Sequence, residues 1–166
     1  MAISTDIVAT YRGPRQLMRR MLARGASEGQ ALALNMGACL IIFVAQWPRL
    51  SREAHLNPDI PLDARLGGAL MGVMVIAPLL FYGVAAISHL IAKAFGGKGD
   101  WLGARIALFW SLLATGPFWL LQGLVAGFIG PGVQLNVVGA LLILMFFYIW
   151  FNTLREAEQA PTPSAV

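Results

Sequence analysis

Few residues that could do chemistry lie within or beside the apolar stretches of this chain, and the chief ones are Asn35, Gln46, His89 and Gln122. Ionisable or strongly polar residues in such surroundings are the usual pointers to transport, proton relay or cofactor ligation. His89 is the best single candidate, as a haem ligand or a proton carrier. The bland alternative is a histidine hydrogen-bonded between helices. The other histidine, His55, falls in a loop assigned to the opposite side, so the two cannot form a bis-histidine pair within one chain. Asn35, Gln46 and Gln122 can each bridge two helices, for about 0.5–2 kcal/mol apiece. A substrate path would need several such groups to converge. Cys39, the only cysteine, excludes an intrachain disulfide and reads as a small residue inside an apolar run. The glycine-rich run 95–103 shares glycines with phosphate-cradling loops. It lacks their Gly-Lys-Ser/Thr ending and a preceding strand, and reads as a flexible connector. No Asp or Glu lies within an apolar stretch, and no Ser/His/Asp set can be assembled on one side. The expectation is therefore a protein without catalytic, cofactor-binding or metal-binding residues.

Composition dictates what must position these groups. Of the residues, 58% are hydrophobic and only 12% charged. Soluble domains carry about twice that share of charge. Too little polar surface is available to enclose a core in water, so the apolar residues must face lipid. The expected class is all-α: an integral membrane helical bundle of about four transmembrane helices. The net charge of +4 does not imply nucleic acid, because the basic residues sit at the ends of the apolar segments.

Residues 1–30 form a basic lead-in with five arginines and no apolar core ahead of a cleavage site, so no signal peptide is expected there. Within it, Pro14 to Arg24 reads as a helix with proline in its first turn. Leu17, Met18, Met21 and Leu22 share one face. Arg15 and Arg19 lie on the other, and Arg20 and Arg24 along the rim. This is the pattern of an amphipathic interfacial helix whose arginines meet anionic headgroups. Residues 31–151 form the transmembrane domain, with spans at about 31–47, 66–92, 106–129 and 135–151. Trp47 and Pro48 mark the far end of the first span as an interfacial aromatic and a helix stop. Pro78 predicts a kink in the second span, and Gly116-Pro117 a bend or break in the third. Residues 152–166 read as a polar, disordered C-terminal tail.

With four spans, nine of the twelve Lys and Arg fall on the side of the termini and three on the other. The positive-inside rule then puts both termini in the cytoplasm of a bacterial inner membrane. Splitting the third span at Gly116-Pro117 would give five crossings and move the C-terminus outside. Small residues four apart allow helices to approach closely in lipid. Gly68/Gly72 and Gly123/Gly127 fall at similar depth on spans read as antiparallel neighbours. They are expected to meet, within one chain or across two.

The lead-in Gly13-Pro14-Arg15-Gln16-Leu17-Met18-Arg19-Arg20-Met21-Leu22, the connector Phe95-Gly96-Gly97-Lys98-Gly99 and a span with a central Pro117 together resemble bacterial members of the YIP1 family of small membrane proteins. The resemblance covers roughly residues 8–152. The family is commonly drawn with about five spans, one more than the four read here. Its eukaryotic members are linked to vesicle trafficking and small GTPases, a partnership that a bacterial member would not inherit. The family has no established catalytic residues to carry over. The expected function is non-enzymatic: a scaffold, assembly factor or accessory subunit contacting lipid, anionic headgroups, and other membrane proteins or itself. The alternative is a small transporter or channel gated at Pro78 and Pro117.

Overall fold

The computed structural model describes residues 3–159, and all of its regular structure is helical. In chain order the helices are α1 (Ile3–Arg12), α2 (Pro14–Ala23), α3 (Glu28–Leu56), α4 (Leu62–Met71), α5 (Ala77–Ala94), α6 (Trp101–Ala114), α7 (Gly116–Phe128) and α8 (Val133–Gln159). Among the described residues, three helical stretches are long and apolar enough to cross a membrane: α3, α4 with α5, and α8. The pair α6–α7 makes a fourth if it counts as one span bent by 44°.

Each helix break has a local cause. Ser27 caps α3 by accepting the Gln30 N–H at 3.2 Å, and Asp100 caps α6 by accepting the Gly103 N–H at 2.7 Å. Pro78 cannot donate a helical hydrogen bond, and a π-helical turn at Gly72–Ile76 precedes it and joins α4 to α5. Buried Asn35 donates to the Pro78 carbonyl at 3.3 Å and accepts from the Cys39 thiol. At the second proline, the Phe118 N–H turns to Thr115 O at 3.0 Å. The Ala114 carbonyl is taken instead by the Tyr11 hydroxyl, so the N-terminal segment completes the bend between α6 and α7.

Helix α6 is the core, with eleven of its fourteen residues buried. A helix apolar all round avoids water on every face, and here protein supplies the cover. α3, α5 and α8 cover it, and α2 seats Leu17, Met18 and Met21 in the same cluster. This changes the reading of the amphipathic helix. Its apolar face is buried on protein, because the end of α8 offers it an apolar seat with polar partners. Arg15 donates to Asn152 at 2.9 Å, and Arg19 pairs with Glu156 at 2.7 Å. Arg20 and Arg24 remain exposed.

Two boundaries differ from expectation. α3 runs through Pro48 to Leu56 because the extension has partners: Leu50 is buried, and Arg52 donates to the Gly127 carbonyl at 3.3 Å. α8 continues to Gln159 because Thr153, Glu156, Ala157 and Glu158 are buried against α2, α5 and α6. Residues 160–166 of the expected tail lie outside the described residues.

The glycine pairs separate. Gly123 lies against the Ala45 carbonyl, and Gly127 against Pro48, where a Cβ would collide with α3. At Gly68 and Gly72 a Cβ would meet nothing within 4 Å. The expected meeting of the two pairs within one chain is not formed, because α3 already occupies the seam along α7.

Candidate functional site

His89 and Ser88 lie in the last turns of α5, both buried. Ser88 bonds back to the Val84 carbonyl at 2.5 Å and leaves His89 to face α8. There the His89 Nδ1 lies 2.7 Å from Glu158 Oε1, with the two side chains 2% and 7% exposed. The Trp101 ring covers the imidazole, its centroid 4.5 Å away and tilted by 55°. The other carboxylate oxygen, Oε2, is buried and has no hydrogen-bond partner among the described residues.

The glycine-rich connector makes this arrangement possible. Gly96, at φ +90°, ends α5 in a conformation that favours glycine. The Gly97 N–H then returns to Ala92 O at 2.9 Å, and the Lys98 N–H donates to Glu158 O at 2.8 Å. A side chain at 97 would come within 2.6 Å of Glu158 Oε2, and one at 99 would collide with the Ala157 carbonyl. The glycines therefore admit the last turn of α8. The run is a packed clasp rather than a loose connector.

Chemically, a buried carboxylate beside an imidazole can fix the ring orientation and hold a proton between two groups. No cluster of three His, Cys, Asp or Glu residues able to hold a metal occurs among the described residues. His55 is exposed at the far end of α3.

A second polar place lies between α3, α7 and α8. Gln46 and Gln122 line one cavity of about 290 Å³, together with Arg49 and Trp119. The Trp119 indole N–H is buried without a partner among the described residues. Two of the polar residues singled out in the sequence are thus brought together. Asn35 instead donates to the Pro78 carbonyl, and His89 faces Glu158 at the end of α8.

Of the four arginines expected at headgroups, Arg15 and Arg19 hold α8, and Glu156 raises the Arg19 guanidinium further above its ordinary pKa by its hydrogen bond and then its charge. Sequence reasoning missed Glu156, Glu158 and Tyr11. One signal for Glu158 was present: in the four-span arrangement it falls on the same side as His89.

These features define the class: an all-helical chain with three to four apolar helices compatible with a multi-pass membrane protein. Comparison with protein-family models, curated proteins and solved structures finds no match to this chain.

Proposed function

We propose that this chain is a non-enzymatic, multi-pass protein of the bacterial inner membrane, with both termini in the cytoplasm, acting as a scaffold, assembly factor or accessory subunit. The observation behind this reading is the outward face of α4–α5. Only 11% of its most apolar window is covered by the rest of the chain, and Gly68 and Gly72 lie open on it. Small residues four apart let a second helix approach the backbone closely, which is how helices associate in lipid. The nine-to-three distribution of Lys and Arg supports the orientation. The resemblance to YIP1 proteins is in keeping with this reading and contributes no functional residue to it.

The test is purification from native membranes in a gentle detergent, followed by native mass analysis. Co-purification with a membrane complex in fixed ratio is expected, and a lone monomer or homo-oligomer would count against this reading. The double variant Gly68→Leu/Gly72→Leu should dissolve that assembly while the monomer melts within about 0.5 kcal/mol of the parent. An unchanged assembly removes α4–α5 as the contact.

A second reading, a small transporter or channel, draws on the convergence of Gln46, Gln122, Arg49 and Trp119 in one cavity. Flux through reconstituted vesicles that survives Gln46→Leu/Gln122→Leu would count against that path.

A further inference from the structure

The end of α5, the glycine clasp and the last turns of α8 enclose a groove of about 750 Å³, within the range of small-molecule sites. Its apolar part includes Ile91, Phe147 and Phe151, each more than half exposed. Its polar part includes Trp150, Arg155 and Glu158. Two of these carry buried atoms without a partner among the described residues, the Trp150 indole N–H and Glu158 Oε2. Buried polar groups are nearly always satisfied, and an unmet one costs about 1–3 kcal/mol. Here one is a donor and the other an acceptor. Arg155 lies over the Phe151 ring at 4.3 Å and has no carboxylate within ion-pair distance among the described residues. The groove thus offers a carboxylate, a guanidinium and an indole N–H beside an apolar wall.

We infer that this groove binds one phospholipid whose headgroup carries a primary ammonium and a phosphodiester, the chemistry of phosphatidylethanolamine. The ammonium donates to Glu158, and glycine at 97 keeps a side chain off that oxygen. The phosphodiester faces Arg155, and the Trp150 N–H meets a phosphate or ester oxygen. One acyl chain follows Phe147 and Ile91. A quaternary ammonium has no N–H to give to Oε2. A purely anionic headgroup gains from Arg155 but is opposed by Glu158. The inference rests on the proposed membrane placement, which sets Trp150 and Arg155 at the end of an apolar span, where headgroups lie. It does not depend on the scaffold role.

The test uses the full chain in nanodiscs made from equal parts of dioleoyl phosphatidylethanolamine, phosphatidylcholine and phosphatidylglycerol, released into native mass spectrometry. One retained phosphatidylethanolamine is expected, preferred over phosphatidylcholine by about tenfold, the scale of one charge-assisted hydrogen bond. Glu158→Gln should lower that preference to parity. Trp150→Phe keeps the ring and removes only the N–H, and Arg155→Gln changes an exposed residue. Each should weaken retention of both zwitterionic lipids several-fold, which keeps the test decisive if Glu158→Gln fails to fold. Equal retention of all three lipids by the parent chain overturns the inference, as does a preference for phosphatidylglycerol or a preference that survives Glu158→Gln. Failure of the chain to enter nanodiscs would instead count against the membrane placement itself.

Discussion

Helix α6 and the α4–α5 stretch are both strongly apolar, yet one is enclosed and the other stands nearly bare. Ser111 on α6 and Thr115 just past its end return their hydroxyls to the carbonyls of Ala107 and Ser111, so α6 presents almost no unmet polar group to its neighbours. Small residues such as Gly103, Ala104 and Ala107 admit the covering helices, and Phe109 and Trp110 fill the space between them. The α4–α5 stretch has small residues too, but at Gly68, Gly72 and Gly83 nothing of this chain lies within reach. Hydropathy records that a surface avoids water. It does not record whether protein or another apolar medium covers it.

The contrast is broken most directly by truncating one large side chain in each region. Phe109→Ala should cost about 3–5 kcal/mol through an internal cavity. Leu79→Ala, at a position 70% exposed, should stay within about 0.5 kcal/mol. Denaturant titration in detergent measures both, and equal losses would show that α6 is not the packed centre. Where α5 does meet the covered region, His89→Ala leaves a buried carboxylate alone and should cost on the order of 3 kcal/mol. Adding Glu158→Leu should recover most of that loss, and no recovery would mean the two side chains are not coupled. A smaller loss than at His89 is expected at the bend. Tyr11→Phe abandons the Ala114 carbonyl and should cost about 1–2 kcal/mol. Burial raises the Tyr11 pKa above its ordinary value, so its docking is at full strength below about pH 10 and fades as pH climbs through the raised value. Hydrogen exchange over residues 5–24 should rise at high pH in the parent chain. In Tyr11→Phe it should already be elevated and should show no such rise.

The spans themselves were legible because long apolar runs bounded by charge leave little choice of structure. Pro78 and Gly116-Pro117 mark real breaks in helical geometry for the same local reason, a missing N–H. Pro48 misled because its cost is local while its compensation is distant, on α7. The end of α8 reads as a tail in sequence because Glu156 and Glu158 resemble solvated charge in isolation. Their partners Arg19 and His89 lie 137 and 69 residues away, beyond any pattern of spacing. The glycine connector is distinctive in sequence, but its use is not. Only the approach of Ala157 and Glu158 shows why side chains are excluded there. Gln46 and Gln122 were visible as polar residues, and only the fold brings them to one cavity.

The covering of α6 also has an order in time. A chain made from its N-terminus has Thr10 and Tyr11 ready when Trp110 and Ala114 appear, whereas Thr153 follows Ser111 by 42 residues. During synthesis the central helix therefore stands with one flank open until the final helix emerges. Any factor that shelters nascent apolar segments would find its client there, and a stall before Thr153 would leave α6 as the surface it holds.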